Sequence, residues 1–148
     1  MRDQQTIDAY TRFFRGNSDA VAFAMMLIHV ADIWDDLIDG DQQITNGDLH
    51  KAFWFCLSGI PRNLFYREFH AELMPIMEVA IFNWLASDKL VASGDEKSLE
   101  VANVIRHSLS DVFVHMARLI GGFEWAAQVT PEIKMLAQND TLEDFVKG

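Results

Sequence analysis

The chain has 148 residues, half of them hydrophobic and 11% aromatic, with only three prolines and eight glycines. That length fits one domain around one core, and that composition excludes disorder, fibrous repeats and low complexity. The net charge is −10, 22 acidic residues against 12 basic ones, with no basic patch, which argues against nucleic acid as a partner.

The first apolar set, Ile7, Ala9, Tyr10, Phe13 and Phe14, predicts a short amphipathic helix from Asp3 to Phe14. Arg15-Gly16-Asn17 interrupts it, and Ser18 is placed to cap a second helix running from about Asp19 to Asp39, which Gly40 ends. Thr45 or Asn46 caps a third helix through about Leu57, and Ser58-Gly59 reads as a break. Arg62 to Leu85 follows, either one helix kinked at Pro75 or two helices meeting there, and Lys89 to Ala92 can extend it. Ser93 or Asp95 caps a fifth helix expected to reach Ile120, and Gly121-Gly122 ends or kinks it. Thr130-Pro131 starts a short helix, and Thr141 caps a last amphipathic turn. No alternation of β-branched residues marks a strand, so the expected fold is all-α, a single-domain bundle of about six helices over residues 1–148.

The longest apolar run, Ala20 to Ile28, is far shorter than a membrane span, and the polar N-terminus leads into no signal-peptide core. The expected location is cytoplasmic. The single cysteine, Cys56, excludes an internal disulfide and a multi-cysteine zinc site. Its apolar surroundings, Ala52-Phe53-Trp54-Phe55-Cys56-Leu57, predict a buried thiol.

The second helix carries the most informative stretch, His29-Val30-Ala31-Asp32-Ile33-Trp34-Asp35-Asp36-Leu37-Ile38-Asp39-Gly40-Asp41. At about 100° per residue, His29, Asp32, Asp35, Asp36 and Asp39 fall within an arc of about 120°. Val30, Ile33, Trp34, Leu37 and Ile38 take the other side. One reading is a solvated polar face. Against it stand the poor helix propensity of Asp, the mutual repulsion of carboxylates three and four positions apart, and the lack of any Lys or Arg between Arg15 and Lys51. Clustered carboxylates suit hard cations, so the second reading is a Mg²⁺ or Mn²⁺ site on Asp32, Asp35, Asp36 and Asp39, with His29 supporting it. Cations held there would let an acidic protein take a phosphorylated substrate.

The fifth helix offers a possible complement. Asn103, His107, Asp111 and His115 recur every fourth position and drift by only about 40° per step on a helix wheel. Arg118 lies on the same side and Arg106 at its edge. Asn103 and Asp111 would complete a metal shell if this ladder faced the carboxylate stripe across a cleft. Lys51, Arg106, His107 and Arg118 would then contact substrate phosphate, with His115 in support.

Asp35-Asp36-Leu37-Ile38-Asp39 resembles the aspartate-rich DDxxD motif of the class I isoprenoid synthases, and its surroundings resemble the motif-bearing helix of prenyl diphosphate synthases. Asn103, His107 and Asp111 are similar in spacing to the second metal motif of terpene cyclases, with His in place of Ser or Thr and Asp in place of Glu. The resemblance implies an all-α bundle in which Mg²⁺ grips a diphosphate and helps it depart. The chain lacks a second DDxxD and the basic segment that follows the first one in prenyl synthases.

Two functions follow as expectations. The first is Mg²⁺-dependent binding of a diphosphate-containing small molecule, with departure or hydrolysis of the diphosphate. The second is a non-catalytic helical interaction protein, a homo-oligomer such as a homodimer, whose acidic stripe is a solvated face.

Overall fold

The computed structural model describes residues 4–40 and 43–138. The expected start at Asp3, Asp41 and the cap at Thr141 lie outside the described residues. Among these residues the chain is all-α, without a strand, as expected. The elements are α1 (Gln4–Phe13), α2 (Ser18–Asp39), α3 (Asn46–Trp54), a π-helical turn (Phe55–Gly59), α4 (Ile60–Arg62), α5 (Leu64–Ser93), α6 (Glu96–Ile105) and α7 (Ser110–Ala137). They group into two compact units, Met1–His70 and Ala71–Gly148.

In the first unit α2 is the central helix, packed by α1, α3, the π-helical turn and α4. Its N-cap is Asn17 rather than Ser18, because the Asn17 side chain accepts from the Ala20 N–H. Gly40 ends it as expected, with φ at 66° and its N–H bonded to the Asp36 carbonyl. The buried face carries Ala20, Phe23, Ala24, Leu27, Ile28 and Ile33. Tyr10 meets Phe13 edge-on at 5.5 Å, and Phe23 stacks on Tyr66 at 5.5 Å.

Thr45 caps α3, accepting from the Asp48 N–H. Ser58-Gly59 does not break the chain. The helix continues through the π-helical turn instead, and the interruption falls at Asn63, whose ψ is 130°. Gly59 permits this because a Cβ there would come within 2.8 Å of Met26 Sδ and the Trp54 ring. The Asn63 side chain then donates to the Asp19 carbonyl and accepts from the Tyr66 N–H, fixing the start of α5 against the start of α2.

In the second unit α5 passes Pro75 without a break. Ala71 and Pro75 are both exposed, so the carbonyl that Pro75 cannot pair stays in contact with water. Asp95 caps α6; the hydroxyl and then the N–H of Ser98 hold its carboxyl below the ordinary range. Gly122 kinks α7 at φ 86°, in line with the sequence. Thr130-Pro131 does not begin a new helix: α7 runs on, with Thr130 Oγ1 donating to the Ala126 carbonyl at 2.6 Å. Leu73, Trp84, Val112, Phe113, Met116, Val129 and Ile133 fill this unit's core.

Candidate functional site

The last three turns of α2 place Asp32 and Asp39 in the exposed class and Asp35 and Asp36 in the half-buried class. These carboxylates sit at the negative end of a 22-residue helix whose last turn has no basic residue. Among the described residues, no three His, Cys, Asp or Glu side chains gather as a metal ion would need. The stripe is real as a run on one helix face, but its side chains do not converge on a common point.

His29 and Lys51 meet at one aromatic ring. His29 Nε2 lies 3.4 Å from the Asp48 carbonyl oxygen, and its ring packs edge-on against Phe55 at 5.3 Å. The Lys51 ammonium lies 5.7 Å from the centre of the same Phe55 ring. Both residues thus join α2 and α3 to the π-helical turn.

The ladder expected from Asn103 to His115 does not lie on one helix. Asn103 belongs to α6, His107 to a turn, and Asp111 and His115 to α7. The turn is tight because its backbone bonds reach back three residues, from His107 to Val104, Ser108 to Ile105, Ser110 to His107 and Asp111 to Ser108. The Ser110 hydroxyl also donates to the His107 carbonyl at 2.9 Å, the kind of local bond that competes with a regular helix. At three residues per turn, a ladder built on 3.6 loses its phase.

Each remaining member of that ladder has an internal partner. The Asn103 side-chain oxygen accepts from Gln138 Nε2 at 3.0 Å. Asp111 pairs with Lys134, whose ammonium also donates to Ser110 Oγ at 2.8 Å. Arg106 donates from Nε to Ser87 Oγ at 3.0 Å and from Nη2 to Asp88 at 2.5 Å, and lies 5.8 Å from the centre of the Trp84 ring. The Ser87 hydroxyl is fully buried and donates onward to the Ala102 carbonyl at 3.2 Å. His115 and Arg118 both approach Glu72, at 3.6 and 3.4 Å. These contacts tie α5, α6 and α7 together within the second unit.

Sequence periodicity missed Glu72, Ser87, Asp88, Lys134 and Gln138, which supply those partners. It also missed a surface cavity of about 300 Å³ in the first unit, lined by Leu57, Ser58, Pro61, Arg62 and Arg67. Arg62 and Arg67 flank the Asn63 interruption, a feature that only the backbone reveals. Cys56 is exposed rather than buried, because the π-helical turn rotates it outward, although partial burial of its thiol pushes its pKa up.

Compared with known proteins, the chain matches no family model, no curated protein and no solved structure. Among the described residues, no helix is long and apolar enough to cross a membrane.

Proposed function

We propose that the protein is a helical interaction protein that assembles with copies of itself, its acidic α2 end forming a solvated face. The observation that carries this reading is the amount of large apolar side chain left at the surface of helices whose opposite faces already pack. Phe53, Trp54 and Leu57 are 60, 52 and 77% exposed around the π-helical turn, and Met74, Ile81, Phe82 and Leu85 are 45% exposed or more along α5. Covering one such side chain stabilises an assembly by about 1.5–3 kcal/mol, and apolar faces of this kind mark association surfaces. The internal pairing of Asn103, Arg106, Asp111 and Arg118 supports the same reading, since those groups already serve the fold. Light scattering on size-fractionated protein over a hundredfold concentration range tests it. The expected mass is a multiple of the chain mass that falls on dilution; a monomer throughout would overturn the reading.

A second reading, binding of Mg²⁺ and a diphosphate, has one observation in its favour. Four carboxylates crowd the negative end of α2 without a basic residue in its last turn, an arrangement that a cation would relieve. Asp32, Asp35, Asp36 and Asp39 would hold the ion, but as placed they do not form a joint site. Calorimetric titration of Mg²⁺ with and without pyrophosphate, on wild type and Asp35→Asn/Asp39→Asn, tests it. Binding that pyrophosphate strengthens and the double variant loses would favour this reading; absence of heat would remove it.

A further inference from the structure

The exposed face of α5 has a regular spacing. Ala71, Pro75, Glu78, Phe82, Leu85, Lys89 and Ala92 follow one another at alternating steps of four and three, and all seven are exposed. That is the spacing of a coiled-coil seam. The opposite face of the same helix, Leu73, Ala80, Trp84 and Ser87, is buried within the second unit. So α5 has one occupied face and one uncovered seam about 32 Å long.

The charges along the seam are ordered. Phe82 and Leu85 are its large apolar members, 60 and 49% exposed. Glu78 stands four positions before Phe82, and Lys89 stands four positions after Leu85. A two-fold axis between Phe82 and Leu85 therefore lays acid on base twice. Other charged residues of α5 serve the fold: Glu72 engages His115 and Arg118, and Asp88 engages Arg106. Glu78 and Lys89 have no side-chain hydrogen bond or ion pair among the described residues.

We propose that two copies of the chain pair through α5 in antiparallel register, Phe82 against Leu85 of the partner subunit and Glu78 against Lys89 of the partner subunit. In this register Pro75 falls opposite Ala92 of the partner subunit, small groups that let the helix ends approach. The two-fold relation of unlike charges is what selects a second copy over an unrelated helix. Such an interface is self-complementary, as a closed dimer requires, and its charge order also disfavours the parallel alignment, where Glu78 would face its own copy. This inference names the surface and register for the self-association proposed above, and rests on it.

Sedimentation equilibrium of Glu78→Lys, Lys89→Glu and the double exchange tests the register. Each single exchange turns two attractions into two repulsions and should weaken association on the order of tenfold. The double exchange restores both pairs and should return affinity to within about threefold of wild type. Phe82→Glu should abolish association. All four positions are exposed, and circular dichroism checks that the helices persist. Dimers indifferent to the single exchanges, or not rescued by the double one, would overturn the register and leave self-association standing. A monomeric wild type would overturn both.

Discussion

The acidic end of α2 and the polar stretch from α6 into α7 have similar sequence patterns, each an array of ionisable or amide residues at helical spacing. The structure treats them differently. In the α6–α7 stretch, residues from distant positions come in to meet the polar groups: Asp88 to Arg106, Lys134 to Asp111, Gln138 to Asn103 and Glu72 to Arg118. At the end of α2 the array is of one sign, and its own last turn brings no base. The difference teaches that periodicity places side chains on a face, whereas the charge reaching that face from elsewhere decides what they do.

The strongest way to break this contrast is Arg106→Ala. It removes hydrogen bonds to Ser87 and Asp88 and leaves the buried Ser87 hydroxyl with one partner fewer. Hydrogen bonds to charged groups contribute about 1.5–3 kcal/mol, so a loss of about 2–3 kcal/mol in urea unfolding is expected. A loss below about 0.5 kcal/mol would mean the cluster is not a structural tie. Asp111→Asn should cost less, about 0.5–1 kcal/mol, because its bridge to Lys134 is partly exposed. High salt should shrink that difference.

Asp39→Asn sharpens the other side of the comparison. Removing a negative charge from the last residue of α2 should raise stability by about 0.3–0.5 kcal/mol in metal-free buffer. Millimolar Mg²⁺ should then shift the wild-type melting temperature more than that of the variant. Equal shifts would mean that the cation acts elsewhere on the chain.

Much of the fold was legible because caps and breakers act locally. Gly40, Thr45, Asp95 and Gly122 do what their residue types predict. The misjudged boundaries have equally physical causes. Ser58-Gly59 reads as a stop, but a glycine packed under Met26 and Trp54 lets the helix widen and continue. The fifth helix reads as continuous because its apolar periodicity carries on, while the serines at 108 and 110 offer local bonds that tighten the turn. At the candidate site, the shared face of the four aspartates on α2 follows from spacing alone. The partners of Asn103, Arg106 and Asp111 do not, since they lie 18 to 35 positions away.

The π-helical turn at Phe55–Gly59 has a further consequence for how this chain tolerates changes in length. A π-helical turn accommodates one residue more than an α-helix of the same course. Deleting one residue there, Ser58 for instance, would let α3 and α4 fuse into a regular helix with little local penalty. Everything downstream would then turn by about 100° relative to α3. Ile60 would leave the core, and Asn63 could no longer reach the Asp19 carbonyl. The bulge therefore works as a register spacer: the local backbone would accept the shorter chain, and the packing of the first unit would reject it.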